Sequence, residues 1–357
     1  MKKNTLKDMK NDNRRLLIKI LMDRKNLSRI EMAHITGLSP STVSALTSEL
    51  LDEGVFQETG REEFTGGRKR TELSLNGNFA HIAVAEIRRD GLILRLYDME
   101  NQELDRRTLS CRYLSGDELF NLLVTGISEC RGSPGAGTVP LGGIGLLFQE
   151  DMSPGEFSVF YSTSLSSDTI SIKDALAGQF HVPIVEEYSQ SFSITSLLAL
   201  GEHISRENAT LVNIGRRISA GVLLRGVPVV LQDGRNMFNI TPLIREDKQG
   251  YSFLACGQGG EKKHTPRKRP GNIPGLQAAA GALVKGLKPL CVLFQLNTVF
   301  LEGLIVGIPG FNALTERLLR KNLGTAGRPR VLEAKINTER FSEHLAGSVR
   351  NRLLFAD

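Results

Sequence analysis

Tryptophan is absent from the 357 residues, and there are only 5 tyrosines and 4 cysteines. Cys111, Cys130, Cys256 and Cys291 are far apart and form no Cys-x-x-Cys pair. That argues against a zinc ribbon or a disulfide scaffold and suits a reducing cytoplasm. His34, His81, His181, His203 and His344 show no metal-ligand spacing, and no Gly-x-Ser-x-Gly elbow marks a hydrolase. An uninterrupted apolar run is also missing. The greasiest region, Leu290 to Ile308, is broken by Gln295, Asn297 and Glu302, which reads as a buried helix followed by a strand rather than a membrane span. The opening MKKNTLKDMKNDNRR has no apolar core and is not expected to act as a secretory signal.

What remains is ordinary for a soluble globular chain of two or three domains: 40% hydrophobic and 24% charged residues, with a net charge of +6. The first 80 residues hold 14 Lys and Arg against 11 Asp and Glu, an excess of only 3. This balance is compatible with nucleic acid but does not demand it.

The first 60 or so residues read as three short helices. One runs from Asn11 to Asp23, with Leu16, Leu17, Ile20 and Leu21 on one face. The second starts at Ser28, where Ser-Arg-Ile-Glu is a capping box; its apolar stripe is Ile30, Ala33 and Ile35, and Gly37 ends it. Ser39 caps the third, with Pro40 at the first helical position, and Gly54 stops it. In GLSPSTVSALTSELL the apolar Val43, Leu46 and Leu50 alternate at helical spacing with small polar residues. A surface helix that needed only solubility would carry Lys and Glu there. Helix, Gly-containing turn and helix, followed by short strands around a basic Gly-rich tip, make a winged helix-turn-helix. The third helix is then a major-groove reader with Ser39, Ser41, Thr42, Ser44, Ala45 and Ser48 as candidate contacts. The tip, Gly66-Gly67-Arg68-Lys69-Arg70, supplies Arg68, Lys69 and Arg70 for phosphates or the minor groove. The plainer alternative is a helical hairpin of a bundle with a solvated turn.

From Phe79 the texture changes to α/β. HIAVAEIRRDGLILRLYD and ATLVNIGRRISAGVLLRG each read as strand, double-Arg turn and strand, a faint duplication that suggests two related lobes. Helices are expected near Asp117–Glu129, Lys173–Phe180 and up to Glu202, and strands at Gly143–Phe148 and Pro183–Val185. The last part gives a helix over Ala278–Leu296, a strand at Thr298–Leu301, and helices at Asn312–Lys321 and Arg340–Leu354.

A winged helix-turn-helix ahead of a duplicated α/β region resembles the ROK family of repressors, open reading frames and sugar kinases. GLSPSTVSALTSELLDEGVFQETG with GGRKR resembles the N-terminal domain of its sugar-responsive repressors. AEIRRDGLILRLYDMENQEL, GGIGLLFQEDMSPGEF and FHVPIVEEYSQSFSITSLLALGE match the rest by pattern. The resemblance implies a two-lobed actin-like (ribonuclease H-like) domain, with sugar bound between the lobes in the family. It divides the chain into 1–78, 79–200 and a shortened 201–357, whose terminal helix returns to the first lobe.

The family's kinase apparatus is not matched. Where kinases carry an Asn-Asp pair with the general base, this chain has Tyr188 and Ser189, and Glu186 and Glu187 are out of register. Glu86-Ile87-Arg88-Arg89 stands for the first phosphate loop, and only Gly215 and Gly221 remain of the second, around Arg216, Arg217, Ile218 and Ser219. The sugar-contacting motif falls at Met237-Phe238-Asn239-Ile240-Thr241 without its Glu or His. One cysteine, Cys256, survives of the zinc cluster, and with His264 it supplies two ligands at most of the four that zinc needs. EKKHTPRKRPGNIPG follows, a basic segment that reads as a surface loop or as an accessory DNA-facing patch.

The expectation is a cytoplasmic DNA-binding transcriptional regulator, a repressor, that binds a double-stranded operator as a homodimer or higher homo-oligomer. No catalysis, cofactor, metal or membrane contact is expected. Glu187, Tyr188, Ser189, Phe238 and Thr241 are the candidate contacts for a small-molecule effector, a sugar or a derivative. The alternatives are a divergent ATP-dependent sugar kinase with a DNA-binding appendage, and a scaffold that only dimerises.

Overall fold

The computed structural model describes residues 6–59, 71–88, 90–111, 114–133, 136–149, 157–162, 167–197, 207–215, 217–232, 236–244, 274–324, 327–334, 336 and 339–355. It divides into two compact units: residues 1–148, 153–187 and 342–357, and residues 149–152 and 188–341.

The first unit opens with α1 (Leu6–Arg24), β1 (Leu27–Ser28), α2 (Arg29–Thr36), α3 (Pro40–Asp52), β2 (Phe56–Thr59) and β3 (Glu72–Leu75). The strands pair antiparallel in the order β1-β3-β2, with Leu27 opposite Leu73 and Phe56 opposite Leu75. Leu17, Ile18, Leu21, Met32, Val43, Leu46, Leu50, Phe56 and Leu73 are buried. Two faces differ from the sequence reading. In α1 the buried set is Leu17, Ile18 and Leu21, and Leu16 is exposed, because the side facing both β3 and the other helices fixes the buried stripe. In α2, two turns long, only Met32 is fully buried, while Ile30 and Ile35 are 66% and 44% exposed.

A short 3-10 turn, Gly77–Phe79, leads to β4 (His81–Arg88), β5 (Gly91–Tyr97), β6 (Glu103–Ser110), α4 (Gly116–Arg131) and β7 (Leu141–Phe148). Then come a small hairpin of β8 (Ser158–Ser162) and β9 (Ser167–Ser171), α5 (Ile172–Phe180) and β10 (Ile184–Tyr188). The sheet order is β10-β7-β4-β5-β6, with β5 antiparallel to both neighbours and β7 parallel to β4.

The main stretch of the second unit runs from Tyr188, whereas the sequence reading places the limit between lobes at 201. Its first helix, α6 (Ser189–Ser196), already packs with the second sheet: Ile194 shares a buried cluster with Leu211, Leu223 and Phe300. The unit continues with β11 (Asn208–Ile214), β12 (Ile218–Leu224), β13 (Val227–Pro228), β14 (Phe238–Asn239) and α7 (Thr241–Ile244). Next are α8 (Pro274–Phe294), β15 (Thr298–Glu302), a 3-10 turn at Leu304–Gly307, α9 (Phe311–Leu323) and β16 (Arg330–Glu333), after which the chain returns to the first unit with α10 (Arg340–Phe355). The sheet order is β13-β12-β11-β15-β16, with β14 also on β12. β12 is antiparallel to β11, and β15 and β16 run parallel to it.

Both sheets therefore repeat one plan. A hairpin of the first two strands takes the third strand on its outer side and two later strands on the other, β7 and β10 in the first sheet and β15 and β16 in the second. The duplication read from the two double-Arg hairpins is real. α8 is long and apolar enough by composition to cross a membrane over Gly275–Phe294, with half of its window buried. Its Ala280, Leu283 and Leu287 lie in one core cluster with Val212 and Leu301 of the second sheet. α10 lies on the first sheet. A side chain at Gly145 would place its Cβ 2.7 Å from Leu345 Cγ, so only glycine permits that approach.

Candidate nucleic-acid interface

The two helices of the helix-turn-helix are set by local chemistry. Ser28 Oγ accepts from the Glu31 backbone N–H, and the Glu31 carboxylate accepts from Ser28 N at 2.8 Å, closing the capping box. Gly37, at φ +70°, ends α2 in the left-handed region, and its N–H donates to Ala33 O. Two residues later Ser39 Oγ accepts from Thr42 N at 3.1 Å, and Pro40 opens α3.

α3 buries Val43, Leu46, Thr47 and Leu50. Thr47 is thus a core residue: its hydroxyl donates to Val43 O at 2.8 Å and accepts from Arg29 Nε at 3.2 Å. Arg29 Nη2 also lies 3.5 Å from Glu58, so this one guanidinium ties α2 to α3 and to β2. Sequence reasoning missed both roles, since nothing local separates Thr47 from its exposed neighbours.

The opposite face carries Ser41, Ser44, Ala45 and Ser48, all exposed. Their i, i+3, i+4, i+7 spacing puts them on one stripe. Ser39 and Thr42, the other two candidates, are engaged at the cap: Ser39 Oγ lies 2.8 Å from Ser41 Oγ and 2.8 Å from Thr42 Oγ1. At the other end of α3, Glu49 meets Lys10 at 2.8 Å, and Glu53 pairs with both guanidinium nitrogens of Arg14. The Arg14 hydrogen bond holds the Glu53 carboxyl below the usual carboxylate range. Arg68, Lys69 and Arg70 of the tip lie outside the described residues.

The candidate effector residues fall on different elements. Glu187 and Tyr188 end β10 and Ser189 begins α6, all three half-buried. Burial pushes the neighbouring Glu186 carboxyl up, against the opposing charge of Lys173. Phe238 pairs with Ala220 across β14 and β12 and packs against the second core. Thr241 is only 2% exposed, and its hydroxyl accepts from Ile218 N at 2.8 Å. That bond fastens α7 to the β11–β12 turn, which gives Thr241 a structural task the sequence did not reveal.

Of the double-Arg turns, Arg88 bonds Glu86 at 2.7 Å and Arg217 is exposed, while Arg89 and Arg216 lie outside the described residues. Cys256, His264 and the basic segment over 261–273 lie outside them too. Among the described residues no group of three His, Cys, Asp or Glu side chains is placed to hold a metal ion.

Residues 10–57 match the model of a winged helix-turn-helix DNA-binding family. The xylose repressor of Bacillus subtilis (strain 168) is 26% identical over 220 residues, 60% of this chain and 56% of that protein. The DNA-binding transcriptional dual regulator NagC of Escherichia coli (strain K12) is 22% identical over 205 residues, 56% of this chain and 49% of that protein. The chain thus spans about half the length of the curated relatives it matches. Among solved structures, a ROK family transcriptional regulator, a homologue of the E. coli MLC protein, superposes with a TM-score of 0.60 at 16% identity over 97% of each chain. That likeness fixes the fold, a winged helix-turn-helix with a ROK-type two-lobed α/β domain. In sequence the chain is thus similar to proteins named as transcriptional repressors and regulators, and in fold to a ROK family transcriptional regulator.

Proposed function

We propose that the chain is a sequence-specific DNA-binding transcriptional repressor acting in the cytoplasm. The observation that carries this reading is α3: capped, buried on one side, and exposing an unbroken stripe of Ser41, Ser44, Ala45 and Ser48. Such a stripe lets a helix approach base edges closely. The match of residues 10–57 to a DNA-binding family supports it, as do relatives named as repressors. Residues 1–78 form the DNA-binding part, and the two lobes carry dimerisation and effector response.

In this reading two copies present two α3 helices to a palindromic site. A sugar or sugar-derived effector binds the two-lobed domain and shifts the balance between two arrangements, by as much as its affinities for them differ. Glu187, Tyr188, Ser189 and Phe238 are the effector contacts; Thr241 holds the fold. Phosphotransfer is not part of the function. Tyr188 and Ser189 stand where a general base is needed, and a serine hydroxyl has no useful basicity near neutral pH.

The test is selection of genomic fragments by the purified full chain at two salt concentrations. A palindrome enriched upstream of a few genes supports the reading, and sequence-blind binding contradicts it. Arg68→Ala with Lys69→Ala then lowers the slope of log affinity against log salt by about 2, if both neutralise phosphates. An unchanged slope removes the tip from the interface. ATP-dependent phosphorylation of any sugar overturns the non-enzymatic assignment.

A further inference from the structure

We infer that α3 discriminates bases through thymine: Ala45 packs on thymine 5-methyl groups, with the hydroxyls of Ser41, Ser44 and Ser48 beside it, so the half-site is rich in A·T pairs. This rests on the proposed DNA-binding function and names which base that site selects.

The major groove is read most strongly by side chains that make two hydrogen bonds to one base: Arg or Lys to guanine, Asn or Gln to adenine. α3, PSTVSALTSELLD, contains none of these four residue types. Arg29, in the preceding helix, is occupied by Thr47 and Glu58. Acidic side chains can accept from cytosine N4, but Glu49 is bound to Lys10 at 2.8 Å and Glu53 to Arg14, and the exposed Asp52 is the last residue of α3, one turn beyond Ser48. Those two ion pairs draw the negative end of α3 onto α1. The first half of the helix, from Ser41 to Ser48, is left as the part free of like charge toward phosphates.

The exposed stripe of that half, Ser41, Ser44, Ala45 and Ser48, carries one methyl group with hydroxyls around it. A serine hydroxyl donates or accepts one hydrogen bond and suits either kind of base edge, so it discriminates little. The thymine 5-methyl is an apolar base-edge group in the major groove, and the Ala45 methyl is the exposed apolar group of the stripe. Short side chains also let the helix sit deep enough for two methyls to touch. Ser39 and Thr42, held at the cap, fix how the helix end is presented rather than which base it reads.

The experiment uses the full chain and a duplex selected by it from random DNA, with deoxyuridine replacing thymidine one position at a time. Uracil lacks only the methyl. At the contacted positions the affinity is expected to fall about fourfold per methyl removed, the equivalent of burying one methylene-sized group. Uracil outside the half-site is expected to change nothing. In Ala45→Gly, checked for retained helicity by circular dichroism, thymine and uracil duplexes are expected to bind equally.

Sequence-selective binding that is indifferent to uracil overturns the inference and leaves the DNA-reading function standing. A uracil penalty that persists in Ala45→Gly overturns the assignment to Ala45. Failure to select any sequence overturns the function beneath it. The wild-type comparison of thymine with uracil stands even where Ala45→Gly fails to fold.

Discussion

In the hairpin of the first sheet, the third and fifth cross-strand pairs from the turn are Glu86–Ile93 and Val84–Arg95. In the second sheet the same places hold Val212–Ala220 and Thr210–Val222. So where one lobe sets Glu86 against Arg95 at 3.3 Å, the other packs Val212 and Val222 into its core. The strand order is the same in both. An ion pair is therefore not what this topology needs. What Arg95 adds is a link to another part of the chain: its Nη1 also donates to Ser342 Oγ at 2.9 Å, at the start of α10. The second lobe holds comparable joints without an ion pair, Thr241 to Ile218 and Asn213 to Glu302. Topology is set by pattern, and strand-end chemistry varies freely on it.

The largest effect that sharpens this contrast is expected from Arg95→Met. Arg95 is 3% exposed, and removing it leaves Glu86 half-compensated, by Arg88 alone, and Ser342 without its donor. The loss in urea unfolding should be about 3 kcal/mol. Arg95→Val with Glu86→Val, which copies the second lobe, should recover most of it. A double variant as unstable as Arg95→Met would mean that the first lobe needs charge for its fold and would break the comparison.

A smaller loss, about 2 kcal/mol, is expected from Thr241→Val, which keeps the shape but strands the buried Ile218 N–H. Unchanged unfolding would return the Thr241 hydroxyl to the pool of effector contacts.

The smallest effects are in pH. His81, 1% exposed and without a hydrogen-bond partner on either ring nitrogen among the described residues, has its pKa lowered by burial, against the charge of Asp98. The unfolded chain binds that proton more readily. The contribution of His81 is thus present above about pH 6.5 and lost as pH falls below it. Burial raises the Glu302 carboxyl, against its hydrogen bond from Asn213. Here the folded chain holds the proton more tightly, so the contribution is present below the unfolded value near 4.3 and lost as pH rises through the folded one. His81→Leu should therefore flatten the acid side of the stability profile, and Glu302→Gln should gain stability over wild type as pH rises. Parallel profiles for wild type and either variant would contradict that assignment.

Local signals in the sequence were the ones that carried through. Ser28 with Glu31, Gly37, and Ser39 with Pro40 act within a few residues of themselves, so the helix-turn-helix was legible. The paired hairpins were legible because each strand is an apolar run next to a double-Arg turn. Faces fixed by distant partners were not. Leu16 and Ile30 fit a helical stripe as well as Ile18 and Met32 do, and only packing chooses between them. β6 escaped notice because it is an edge strand, with Glu103, Arg106 and Thr108 exposed and no apolar alternation. Arg95 and Thr241 look like surface residues until their partners, Ser342 and Ile218, arrive from 247 and 23 residues away.

The central claim, that α3 reads sequence, is tested most directly by one ratio: the affinity of the full chain for its selected duplex over that for the same duplex scrambled, at physiological salt. A ratio of about a thousand or more is expected for a specific regulator. It should collapse when Ser44 and Ser48 are both replaced by Glu, which puts charge on the exposed stripe. A ratio near one for the wild-type chain would contradict the claim and leave the winged helix a structural module.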